Sequence, residues 1–411
     1  MLPRANAPAG GSALVALILA DLIVRTSYQI GKAPVLPVFA HGLGASPLLL
    51  GAIISVSTAT GLFLKPLFGL LSDYRGRWVW LLTGTTLFTL VPCLYLFVER
   101  PSELFVLRLV HGLSTAIYGP VTLAYIAAWR RKTAGEAFGW FGLARTASYI
   151  LGPLIGGVAL TFAAPEAIYA GTCFLSALAF VPTLYLRNAD HVALPQNWSL
   201  TGAVRAIASS RPLVVLALIE GTTYVAIYAV KAFMPVMALV AGHQPIEIGT
   251  FLAIQEGANA VLRPPMGRLA DQTRPAVPLL LGLGALAAGL LILSAMGPTW
   301  FAMLAAALFI GAGQGAFGPA TLSLVASATP TAHLGLAFGS IGAIRNAGKI
   351  AGPIVAGTLV SAMSYQASFA SIAAIPLMIA LWILCRSGSS LAMPANESLR
   401  VERAKAPRRG R

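Results

Sequence analysis

Apolar residues fall into twelve long stretches along this chain, separated by short polar breaks. Their approximate limits are 13–38, 48–71, 78–98, 103–129, 134–162, 166–186, 212–240, 245–269, 276–296, 299–326, 333–361 and 365–385. Each has about the twenty residues a helix needs to cross hydrocarbon, so the pattern predicts twelve membrane helices. Only one break is long, the polar stretch Arg187–Arg211, and it divides the helices into two sets of six.

The two sets repeat each other. Ala137–Gly157 reads AFGWFGLARTASYILGPLIGG and Ala337–Gly357 reads AFGSIGAIRNAGKIAGPIVAG, identical at ten of twenty-one positions at an offset of 200. Gly139, Arg145, Gly152, Pro153 and Gly157 all recur as Gly339, Arg345, Gly352, Pro353 and Gly357. At an offset of 198, Pro37, Pro47, Gly51, Gly69 and Asp73 match Pro235, Pro245, Gly249, Gly267 and Asp271; at 199, Thr122 matches Thr321. Two like halves about an axis along the membrane normal enclose a central cavity in a known transporter plan. The Gly-Pro pairs and close glycines (Gly152, Pro153, Gly156, Gly157) predict a helix that breaks or bends there and admits a neighbour closely. The expected organisation is an N-terminal bundle at 1–190, a linker at 191–211, a C-terminal bundle at 212–386 and a basic tail at 387–411.

Composition agrees. Hydrophobic residues make up 57% of 411 residues and charged ones only 10%, with a mean hydropathy of +0.79, so lipid is the solvent for most of the chain. The net charge of +15 lies in loops and tail, where it sets orientation. Arg75, Arg77, Arg130, Arg131, Lys132, Arg187, Arg205, Arg211, Arg268 and Arg274 all flank one side, with Arg100 on the other. Both termini are therefore expected in the cytoplasm, with the first helix retained and the protein in the plasma membrane. No soluble basic domain exists for nucleic acid to bind. Cys93, Cys173 and Cys385 lie in apolar runs without metal-type spacing and are expected as packing residues, with no disulfide framework. No Walker loop, metal cluster or nucleophile–base arrangement is present, so neither cofactor nor enzymatic chemistry is expected.

Several motifs are more specific. GLLSDYRGRW, Gly69–Trp78, resembles the loop between helices 2 and 3 of the major facilitator superfamily: Gly69, Asp73, Gly76 and Arg77 are in place, whereas Tyr74 and Trp78 depart from the usual basic residues. GRLADQTRP keeps Gly267 and Asp271 of the second copy. Arg108–Gly112 is similar to the fourth-helix motif, Gly152–Gly157 to the fifth-helix motif of the antiporter branch, and Gly31–Pro37 to the end of helix 1 in twelve-helix drug–proton antiporters. The resemblance spans the chain. It implies an all-α fold of two pseudo-symmetric six-helix bundles, acting as a monomer on a small-molecule substrate and protons.

Ionisable residues at membrane depth are functional candidates by default, because hydrocarbon does not tolerate them. Asp21 and Arg25 are one turn apart, with Tyr28 on the same face; a proton carrier and a fixed structural pair both fit. Glu220 and Lys231 share a face of helix 7, and Glu256, Asn259 and Arg263 a face of helix 8. The resemblance adds Arg108 to a proton-coupling set of Asp21, Arg25, Glu220 and Glu256. Tyr28, Tyr149, Tyr224, Lys231, Asn259 and Lys349 are the expected cavity lining. A gate is expected at Gly69, Asp73, Gly76 and Arg77, with Asp73 meeting Arg345 and Asp271 meeting Arg145 across the two halves. The membrane cations outnumber the acids, which favours anions. Two functions follow: proton-coupled efflux of a small amphipathic compound or drug by alternating access, which the resemblance favours, and proton-coupled symport of a small organic anion.

Overall fold

A computed structural model describes residues 10–129, 134–186, 211–273, 276–328 and 334–387. The expected linker other than Arg211, and the tail beyond Ser387, lie outside the described residues. Twelve helical rods fill the rest. The first half holds α1 (Gly10–Ile30, then a wide turn at Gly31–Val35, then Leu36–Gly42), α2 (Pro47–Arg75), α3 (Arg77–Leu94), α4 (Pro101–Trp129), α5 (Ala134–Phe162) and α6 (Pro165–Ala177, resuming at Phe180–Tyr185). The second holds α7 (Arg211–Val240), α8 (Pro245–Gln272), α9 (Ala276–Met296), α10 (Trp300–Ala328), α11 (Leu334–Ala362) and α12 (Tyr365–Ser387).

Ten of these rods carry a stretch apolar enough to cross a membrane on composition alone. Of the other two, α8 is polar because it carries Glu247, Glu256, Arg263, Arg268 and Asp271, and α11 carries Arg345 and Lys349. Large apolar side chains such as Phe63, Phe162, Phe174 and Val181 stand on the outer surface, where lipid tails would solvate them.

The duplication read from the sequence is repeated in space. In the first half α1 packs on α5, α2 on α4, and α3 on both α4 and α6; in the second α7 packs on α11, α8 on α10, and α9 on both α10 and α12. The halves meet through α2 against α11 and α5 against α8. Small residues make that contact possible. A Cβ on Gly157 would stand 2.7 Å from the Pro245 carbonyl oxygen, and one on Gly249 would stand 2.9 Å from the Gly157 Cα. Gly51 and Gly357 bring α2 equally close to α11, at Pro353 and Pro47. All of these contacts lie where α2 and α8 begin and α5 and α11 end. At the opposite end, which holds the first and last described residues, Gly139, Gly142 and Gly342 face open space. The closest glycine contacts between the halves thus lie at one end, opposite the first and last described residues.

Two local expectations need correcting. α5 is continuous through Gly152–Pro153, so the motif does not break the helix; its glycines instead seat α1, with a Cβ on Gly156 falling 2.9 Å from the Ile30 carbonyl oxygen. The break occurs in α1, where Ala33 leaves helical geometry (φ −155°, ψ 120°) ahead of Pro34. A residue before proline is pushed out of the α region, and the Tyr169 hydroxyl donates to the freed Gly31 carbonyl at 2.8 Å. Second, Cys93 and Cys173 are joined by a disulfide, with Cα atoms 5.9 Å apart, which ties α3 to α6. Their separation of 80 residues hid this: only the packing of α3 on α6 brings them together. Cys385 is free and exposed.

The glycine contacts are open to a direct test. Gly157→Leu should force α5 and α8 apart, costing about 1–3 kcal/mol by overpacking, whereas Gly139→Ala should be neutral. The melting temperatures of the two purified variants check this; equal values would remove these glycine contacts from the account.

Candidate functional site

Asp21, on α1, is fully buried. Arg25, one turn along, donates to both its carboxylate oxygens at 3.1 Å. Arg145 reaches the same two oxygens from α5, through Nε at 3.1 Å and Nη2 at 3.3 Å. One carboxylate thus accepts four bonds from two guanidinium forks, the strongest kind of ionic hydrogen bond available to it. Arg145 also donates to the Thr122 hydroxyl at 3.3 Å and lies 4.2 Å from the Phe141 ring centre.

The second half builds the same site from equivalent positions. Glu220, also fully buried, accepts from Nε and Nη2 of Arg345 at 3.1 Å each. On the neighbouring α10, Thr321, the repeat partner of Thr122, donates its hydroxyl to the Phe317 carbonyl at 3.0 Å. Asp21 and Glu220 are related by the offset of 199 that also relates the threonines, and the arginines by 200. The halves differ in one exchange. Where α1 has Arg25, α7 has Tyr224; where α5 has Tyr149, α11 has Lys349. Glu220 therefore has one guanidinium where Asp21 has two, and Arg345 stands over the Tyr224 ring at 5.3 Å.

A third ion pair has no counterpart. Lys231 donates to Glu256, whose second oxygen accepts from Asn259 Nδ2 at 3.0 Å; Asn259 Oδ1 in turn accepts from Arg263 at 3.0 Å. The first half has a buried cation of its own held by hydroxyls. Arg108, buried within α4, donates to Ser57 at 2.6 Å and to the Tyr28 hydroxyl at 3.4 Å. His111, one turn on, bonds through Nδ1 to Tyr95 at 3.0 Å and packs edge-on to Tyr28 and Phe88.

Thus Asp21 with Arg25, and Glu256 with Lys231 and Asn259, come together as neighbours, while Glu220 and Lys231, about 16 Å apart along α7, belong to separate clusters. The expected pair between Arg145 and Asp271 is not made: Arg145 engages Asp21, and Asp271 is exposed one residue from the end of α8. Depth is the reason. Arg145 is eleven residues inside α5, about 16 Å from its end, level with Asp21 rather than with a helix terminus. Arg345 likewise engages Glu220, and the side chain of its expected partner Asp73 lies outside the described residues. In the turn itself, Gly76 has φ +91° between α2 and α3, a conformation only glycine takes without strain, and Arg77 is buried. The sequence did not single out Ser57, and it marked Thr122 only as a repeat position, not as a site residue. The offset of 199, applied to the acids, would have matched Asp21 to Glu220.

Against known proteins, the model for the Major Facilitator Superfamily matches residues 17–254 and 216–409. Among curated proteins, an uncharacterized MFS-type transporter of Methanocaldococcus jannaschii is 25% identical over 80% of this chain and 86% of its own length. The multidrug resistance protein MdtG of Proteus mirabilis is 24% identical over 86% and 91% respectively. Among solved structures, a mutant of the nucleoside transporter NupG superposes with a TM-score of 0.77 over 91% of this chain and 99% of that one, at 14% identity.

Removing one member of a buried ion pair costs about 3–5 kcal/mol, because its partner is left charged and unpaired. Asp21→Asn strands two guanidiniums and Glu220→Gln only one. Asp21→Asn is therefore expected to lower the melting temperature more than Glu220→Gln, and Asp21→Glu to restore much of the loss. Thermal unfolding of the three purified variants measures the order.

Proposed function

The chain belongs to the major facilitator superfamily, a multi-pass membrane transporter, and on that premise we propose that it exports a small amphipathic compound in exchange for protons. The observation that carries the reading is the set of three buried carboxylates, Asp21, Glu220 and Glu256, each closed on a cation from another helix of its own half. A proton arriving on any of them neutralises the carboxylate and releases its cation, so proton occupancy and helix position are coupled. Arg25 and Arg108 are part of the same machinery: Arg25 holds Asp21 ionised until the site opens, and Arg108 keeps a positive charge beside Tyr28. Tyr28, Tyr149, Tyr224, Lys231, Asn259 and Lys349 line the substrate path. Export, rather than import, is supported by the names of relatives such as the Proteus mirabilis multidrug resistance protein.

With both termini in the cytoplasm, the glycine-sealed end faces outward. Alternating access then requires Gly51, Gly157, Gly249 and Gly357 to part at the outer end. The Gly69–Arg77 segment links α2 to α3 through Gly76, and we assign Asp73 and Asp271 to a latch at the inner end.

The test is flux in proteoliposomes under an imposed pH gradient, with cationic, neutral and anionic solutes screened in parallel. Proton flow opposite to solute is expected; flow in the same direction would replace exchange by symport. Glu256→Gln is expected to abolish accumulation against a gradient while leaving downhill exchange of solute, read as counterflow. Full gradient-driven accumulation in that variant would remove Glu256 from the coupling.

A further inference from the structure

The space between the halves holds an unbalanced group of cations. Tyr228, half-buried on α7, has three lysine ammoniums around its ring: Lys231 at 5.4 Å, Lys349 of α11 at 5.6 Å and Lys32 of α1 at 6.0 Å from its centre. Lys349 also stands 5.2 Å from the Tyr224 ring, and Lys32 5.5 Å from that of Tyr28. Of the three, only Lys231 meets a carboxylate, that of Glu256. Lys32 and Lys349 have no acid within 4.0 Å among the described residues. Arg108, 5.7 Å from the Tyr28 ring centre, has hydroxyls and no carboxylate as its hydrogen-bond partners among the described residues.

Like charges gathered at membrane depth repel strongly unless a counter-charge joins them. Aromatic faces offset part of the cost, but the group retains an excess of positive charge that the chain leaves unmatched. The rings of Tyr28, Tyr224 and Tyr228 border it with flat apolar surface. Lys32 belongs to the first half, and Lys349 to the second, so an anion between them would bind the halves to each other.

From this geometry we propose that the substrate is an amphipathic organic anion, its carboxylate seated between Lys32 and Lys349 and its aromatic or apolar body on Tyr28, Tyr224 and Tyr228. The proposal rests on the reading above that the space between the halves is the substrate path. It also assigns the trigger for closure: without ligand, Lys32 and Lys349 repel and hold the halves apart, and the bound anion removes that repulsion.

Three probes with one ring system separate charge from shape: 2-naphthoate, 2-naphthylmethanol and 2-naphthylmethylammonium. Binding to the purified full chain in nanodiscs, by equilibrium dialysis, is expected to favour naphthoate over both others by about tenfold or more, the worth of one charge-assisted hydrogen bond. Lys349→Gln and Lys32→Gln should each weaken naphthoate about tenfold while leaving the alcohol within about twofold; Lys349→Arg should retain it. Unchanged melting temperatures confirm that the variants fold. Tighter binding of the ammonium probe, no binding of any probe, or naphthoate binding indifferent to both lysines would overturn the assignment. Flux in proteoliposomes separates the two claims. Export of the ammonium probe alone keeps the transporter and discards the anion, whereas naphthoate that binds through the lysines without any flux keeps the site and discards the transporter.

Discussion

A charge inside a membrane protein has to find its opposite within the protein, because neither lipid nor a dry interior will solvate it. Asp21 is the clearest case. It sits fully buried and is tolerated only because two arginines, one from its own helix and one from α5, fork onto both its oxygens. That clamp fixes α1 against α5, and its counterpart at Glu220 and Arg345 fixes α7 against α11. The inner helices of each half are thus tied by ionic bonds, while the halves meet through close glycine contacts and a shared apolar core in which Val35, Leu36 and Phe39 join Val230 and Phe233. Ion pairs confined to each half, with none between the halves among the described residues, let each half move as one body.

Pseudo-symmetry makes the differences between the halves informative. The exchange of Arg25 for Tyr224 and of Tyr149 for Lys349 keeps one cation and one tyrosine in each cluster but moves the charge from the first helix of its half to the fifth. In the first half the extra cation is spent on Asp21. In the second it stands clear of Glu220 and points with Lys231 at Tyr228. A duplicated scaffold has in this way acquired one closed site and one open one. The kink at Ala33 and Pro34 contributes from the other side, since it ends the regular helix of α1 where Lys32 comes to face Tyr228.

Helix number, the dyad of the two halves and the identity of the buried ionisable residues were legible in the sequence, and for physical reasons. Crossing hydrocarbon demands about twenty apolar residues in a row, so the spans stand out without any knowledge of packing. Any acid or base inside such a span must face inward, so Asp21, Glu220 and Glu256 could be singled out before their surroundings were known. The repeat offset carried the symmetry, and with it the expectation of a cleft.

Pairing was a different matter. Which cation meets which acid depends on axial depth and on helix rotation, and neither is written in apolar run lengths. Arg145 could be matched to Asp271 on symmetry alone, yet its depth along α5 sets it level with Asp21, more than a hundred residues away in sequence. The disulfide between Cys93 and Cys173, the unbroken course of α5 through Pro153 and the gathering of Lys32, Lys231 and Lys349 on one ring are of the same kind. Each depends on which helices pack together and at what height, so the chain alone determined what must be inside, and only the assembled bundle decided what it touches there.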